Sequence, residues 1–296
     1  STKFPMLSKW RNIKFLCLLF LLLGSTPELS AQTTLAVGDL SIIGWNSNSP
    51  DNFAFVAWVP IANNTYIKFT DNGFLSSGSA NASSNARGGE NFVIWRNNTG
   101  ATIAAGTVIT IQDNGSAVTN VGTIVSGNLS GISNGGDNIF AYQGPATSGT
   151  SPDFSSNSNP TTFNGTILYG LIFQGGGSAT SWLTSGTVSS NTSYLPSQLN
   201  VINGNIAFGS SISHGQYTGS RTNQTSFADY KTLINNSGNW TTGTGNSATI
   251  TLSTTAFTLA SSNTPPTIVM DVTSTSDYVD GGVGSSPASP YAFSGV

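Results

Sequence analysis

The chain has 296 residues, of which only 7% are charged, and a formal net charge of −3. That charge fraction is far below the roughly 25% of an ordinary soluble domain, yet the many aromatic and β-branched clusters exclude disorder. What remains is a folded protein with a surface of neutral hydroxyls and amides, and without the basic face that a nucleic-acid binder needs.

From Met6 the N-terminus reads MLSKWRNIKFLCLLFLLLGSTPELSAQ. Lys9, Arg11 and Lys14 precede an apolar run from Phe15 to Leu23, and the small residues Ser30 and Ala31 precede Gln32. The run is shorter than the ~20 residues of a membrane span, so the pattern predicts a secretory signal peptide over 1–31. The expected location is therefore extracellular or at the cell surface, with no membrane span in the mature chain. Cys17, the only cysteine, lies inside this segment, which leaves the mature chain without disulfide or thiolate metal ligand. Removing 1–31 takes four of nine basic residues and one of twelve acidic ones, for a mature net charge of −6.

The body from 35 to 260 reads as strands divided by turn signals. FAFVAWV at 53–59 is apolar on both alternating faces, as in a strand covered on both sides. NTYIKFT at 64–70 alternates, with Ile67 and Phe69 opposite Tyr66 and Lys68. NFVIW at 91–95, GTVITI at 106–111, NIFAY at 138–142, TILYGLIF at 166–173, NIAF at 205–208, ATITL at 248–252 and AFTLA at 256–260 follow. Short, irregularly spaced β-branched and aromatic runs predict an all-β sandwich. One helix is expected in SFADYKTLINNSG at 226–238, with Ser226 as cap and Asp229 three positions on. SSNTPP at 261–266 predicts a linker, and 267–296 the start of a second, truncated β module.

An Asp-Asn pair recurs in FTDNGF, IQDNGS and GGDNIF. Asn-Gly favours tight hairpin turns, and an aspartate beside it bonds the turn backbone, so turn chemistry accounts for Asp71, Asp113 and Asp137. The alternative is calcium held by oxygens of Asp39, Asp51, Asp71, Asp113 and Asp137. No D-x-[DN]-x-[DN]-G loop is present, so such a site would have to be assembled by the fold. Catalysis finds no support. His214 is the only histidine, which excludes a multi-imidazole zinc site, and no G-x-S-x-G elbow precedes a helix. The Gly175–Gly177 run lacks the lysine of a phosphate loop. Trp45, Trp182 and Trp240 lie among Asn, Ser, Thr and Gly, where an indole either stacks on a glycan or folds back over the sandwich.

The order DNFAFVAWV, KFTDNGFL, TIAAGTVITI, LSGISNGGDNIFAYQG resembles the lamin-tail-like domain of secreted bacterial proteins over about 38–143. The resemblance implies an immunoglobulin-like β-sandwich used for attachment or positioning. Phe53 and Ala57 stand where that family tends to carry acids, and no catalytic residue carries over. The chain is also similar to the N-terminal part of large multi-module bacterial surface proteins. The expected function is a non-enzymatic interaction or adhesion module contacting protein or glycan. The alternative is an accessory domain of an exported hydrolase whose catalytic part lies elsewhere.

Overall fold

The computed structural model describes residues 31–81, 85–113, 115–149, 153–155, 160–173, 182–209, 212–245 and 250–261. The signal-like segment before residue 31, the linker prolines, the expected second module and the Gly175–Gly177 run lie outside the described residues.

The fold is an all-β sandwich with one short helix. Strands β1 (Leu40–Asn46), β2 (Asp51–Ala57), β5 (Val108–Asp113), β6 (Ala117–Thr119), β11 (His214–Tyr217) and β12 (Trp240–Gly243) form the first sheet, in the order β12-β11-β1-β2-β5-β6. Strands β3 (Tyr66–Thr70), β4 (Phe92–Arg96), β7 (Thr123–Asn128), β8 (Asp137–Gln143), β9 (Thr166–Phe173) and β10 (Asn205–Phe208) form the second, in the order β10-β9-β8-β3-β4-β7. Neighbours run antiparallel except β9 and β10, which pair in parallel.

Alternation decides what lies between the sheets. Ile42, Trp45, Phe53 and Phe55 of the first sheet meet Phe69, Trp95, Ile139 and Leu171 of the second in one continuous core. Phe55 packs on Phe69 and edge-on to Trp95, with ring centroids 4.8 and 5.6 Å apart. The second sheet is apolar on its other face too. Phe140, Tyr142 and Ile167 there join Phe74, Ala86, Phe163 and Leu199 in a separate cluster. The covering loops are tied by isolated bridges such as Phe74 to Ala86 and Phe154 to Phe163. A sheet buried on both faces explains why β8 and β9 are nearly continuous apolar runs.

Helix α1 (Phe227–Ile234) starts as expected: Ser226 accepts from the Asp229 N–H, and Asp229 accepts from the Ser226 N–H. Its Phe227 and Tyr230, with Phe257, cover Trp58 on the outer face of the first sheet. Two expectations are corrected here. The 250–260 segment is not a pair of strands; it crosses the outer face of the first sheet, with an isolated bridge from Leu259 to Gln224 just before the helix. Nor does Asn72-Gly73 make a two-residue hairpin, because residues 71–91 separate β3 from β4. Gly73 lacks a positive φ; a Cβ there would lie 2.5 Å from the Thr192 carbonyl, so close backbone approach is what demands glycine. The turn reading does hold at Gly115, whose φ is +84° in the β5–β6 hairpin.

Candidate functional site

Four aspartates converge at one end of the sandwich. Each continues the inward-facing alternation of its strand past the last apolar residue: Phe55-Phe53-Asp51, Ile109-Ile111-Asp113, Ile139-Asp137, and Phe69 running into Asp71. Asp51 and Asp113 are direct partners across β2 and β5. Asp71, Asp113 and Asp137 are buried.

Their common work is to hold backbone. The segment from Leu129 to Ser133 closes this end of the sandwich, with Leu129 and Ile132 in the core. Where this loop is buried, its N–H groups must find acceptors. Leu129 N donates to Asp113 Oδ2 at 3.0 Å, and Ser133 N donates to Asp137 Oδ2 at 2.9 Å. The backbone amides of Ile132 and Gly131 favour the charged form of Asp51. Asp71 takes the Asn91 N–H at 2.6 Å, fastening the end of the β3–β4 connection.

The recurring asparagines follow from the same geometry. Neighbours in extended chain point to opposite faces, so an inward Asp is followed by an outward Asn. Asn72 accepts from the Glu90 N–H, and Asn138 Nδ2 donates to the Asp71 carbonyl at 2.8 Å. Asn114 lies outside the described residues. A fourth pair, Asp51-Asn52, belongs to the same set.

Burial and neighbouring charge raise the proton affinity of Asp51, Asp71 and Asp137. Burial, then the Asp113 charge, pushes Asp51 up to about 6 against the pull of the Ile132 and Gly131 amides. Burial pushes Asp71 up to about 7, with the Asn91 amide and Arg87 opposing and Asp51 adding to the rise. Burial and the Asp71 charge hold Asp137 well above the carboxylate range. Asp39 is elsewhere, at the far end of the β1–β2 pair, where its Oδ2 accepts from Ala36 N. Among the described residues no group of three or more His, Cys, Asp or Glu is arranged as a metal-ligand set.

Of the two readings of the tryptophans, folding back over the sandwich is what Trp45 and Trp240 do, and glycan stacking is corrected at both. Trp45 is 0% exposed and stacks on Phe173, with centroids 4.7 Å apart. It shares inward parity with Phe53, its cross-strand partner. Trp240 packs against Phe208 and donates its indole N–H to the Ile234 carbonyl. Polar sequence neighbours did not reveal this, since they occupy the outward positions. Trp182 is partly exposed, lies 5.4 Å from Phe140 and donates to Asn205 Oδ1.

His214 sits on β11 with its ring over Gly243, and its Nδ1 meets Ser213 Oγ at 3.2 Å. That hydroxyl is buried and lies within hydrogen-bond reach of the Gly243 and Gly245 carbonyls, so it is no accessible nucleophile. Sequence reasoning also missed a buried ion pair. Lys68, on the covered face of β3, bonds Asp153 and the Gly144 carbonyl, with both charged side chains fully buried. Burial lowers the Lys68 pKa while Asp153 opposes the shift.

The first sheet's outer face carries a cleft of about 400 Å³, lined by Asn46, Asn52, Thr110 and Gln112 and walled by residues 250–254. No protein-family model matches the chain, and no curated protein and no solved structure is significantly similar to it. Among the described residues no helix is long and apolar enough to cross a membrane.

Proposed function

We propose that this sandwich is an exported, non-enzymatic interaction module that works outside the cell by contacting protein or glycan. The observation that carries the reading is the use to which its ionisable groups are put. The inward aspartates are occupied by backbone amides, the Lys68–Asp153 pair is sealed from solvent, and the Ser213–His214 contact is buried. Chemistry needs reactive groups that a substrate can reach. The neutral outer face of the first sheet offers recognition instead, and the N-terminal pattern of basic residues, apolar run and small residues supports export.

The test pairs binding with turnover. The purified chain is sedimented with intact bacterial cells and with insoluble polysaccharide, and is assayed on ester, phosphodiester, glycoside and peptide substrates. Retention without turnover is expected. Hydrolysis that disappears in His214→Ala overturns the proposal, as does failure to be retained on any of these surfaces.

A further inference from the structure

We propose that the cleft on the outer face of the first sheet is a binding site for a neutral saccharide. The inference deepens the interaction-module reading and rests on it.

Its floor is a rung of amides. Asn46, Asn52 and Gln112 are cross-strand partners on β1, β2 and β5, and all three project outward because Trp45, Phe53 and Ile111 beside them project inward. Thr110 stands on the next outward rung, opposite Ala54 and Gly44. These small residues deepen the cleft and let its wall approach. A Cβ on Gly44 would meet Leu252 Cδ2 at 2.8 Å, so glycine is what seats the 250–254 segment against the sheet. Ile250, Leu252 and Pro50 supply apolar surface, and Thr251 and Thr254 add hydroxyls.

Three features of this lining select the ligand class. No Lys, Arg, Asp or Glu lines the cleft, so nothing there recognises a charged group. The floor strands are interior, paired on both sides, so an extended peptide finds no free backbone edge to join. An apolar ligand would strip water from the amides without replacing their hydrogen bonds. A neutral sugar meets all three conditions: adjacent hydroxyls donate to and accept from amides, while its C–H faces lie on aliphatic side chains. Gln112 is the exposed member of the rung and the amide that a ligand reaches first, while the Asn46 and Asn52 Nδ2 atoms donate to the Pro50 carbonyl. The volume lies within the ~300–1,000 Å³ of small-molecule sites.

The test is an NMR titration of the full chain, with the side-chain amides observed directly. The probes are cellotriose, maltotriose and tri-N-acetylchitotriose, with trigalacturonic acid and tetra-alanine as anionic and peptide controls. At least one neutral trisaccharide is expected to shift the Asn52 and Gln112 side-chain amides in a saturable way. Gln112→Ala, at an exposed position that leaves the core untouched, is expected to weaken that binding about five-fold or more. Thr254→Val on the opposite wall is expected to weaken it independently, and Trp182→Ala to leave it unchanged. Silence from all three neutral probes at about 20 mM, a range that captures even millimolar affinities, overturns the proposal. So does binding that both cleft variants retain, or cleft shifts produced by the acid or peptide control instead. Retention on cell surfaces with a silent titration would remove this site while leaving the interaction-module reading intact.

Discussion

The aspartate-lined end should make the domain more stable in mild acid than in mild base, the reverse of a protein stabilised by ion-paired carboxylates. Asp71 carries the clearest case. Its carboxyl is held at about 7 when folded, against 3.8 as a free side chain, because burial disfavours its charge. The folded state therefore binds the proton more tightly than the unfolded chain. Stability from this group is complete below its unfolded value and is lost as pH rises through its folded value. At 1.36 kcal/mol per pKa unit, a rise of that size corresponds to on the order of 4 kcal/mol between pH 4 and pH 8. The groups facing it set how much is realised: the Asp51 charge adds to the rise, the Asp71 charge in turn raises Asp137, and Arg87 opposes it. Urea denaturation at pH 5, 6, 7 and 8 should show a midpoint that falls with pH while the slope stays constant. Asp71→Asn keeps an oxygen for the Asn91 amide but cannot ionise, so it should flatten the profile and raise stability at pH 8. A wild-type profile that is level or rising from pH 5 to pH 8 would refute the reasoning. So would an Asp71→Asn variant that keeps the wild-type slope.

Removing one member of the buried ion pair, with Asp153→Asn, should cost about 3–5 kcal/mol by urea denaturation, because Lys68 is left charged and enclosed. Gly73→Val should destabilise by more than Gly115→Ala, since a Cβ at 73 strikes the Thr192 carbonyl while the one at 115 meets nothing within 4 Å; melting temperatures of the two variants give the order. Millimolar calcium is expected to leave the wild-type melting temperature unchanged, because the aspartates already bond amides; a rise of several degrees that Asp71→Asn abolishes would assign them to a cation.

The strand pattern was legible where alternation ran unbroken, as in β3 and β10, and where the apolar run was continuous, as in β9. It failed at β1, where Gly44 and a register shift between Ile42 and Gly44 interrupt the period, and at the short glycine-bearing β11 and β12. The 250–260 run has strand composition, but it takes its shape from the sheet beneath it and has no ladder of its own. Local turn chemistry at Asp71, Asp113 and Asp137 hid a tertiary arrangement, because register between distant strands is what brings these residues together. A usable signal was present nonetheless: in β2, β3, β5 and β8, carrying the inward period two residues further lands on an aspartate. The amide rung was less visible still, since nothing local marks Asn46, Asn52 and Gln112 as neighbours.

The placement of β1 bears on how such a chain is made. β1 is held between β2 and β11, with Gly44 opposite Gln216 and Asn46 opposite His214. Synthesis or translocation from the N-terminus releases β1 long before its second partner, β11. Until residues 214–217 emerge, one side of β1 presents unpaired backbone beside Trp45, whose aromatic neighbours Phe173, Phe208 and Trp240 are themselves late arrivals. Contacts so distant in sequence form slowly and leave a long interval of exposure. Under the export proposed above, that delay would keep the sandwich from closing inside a translocation pore.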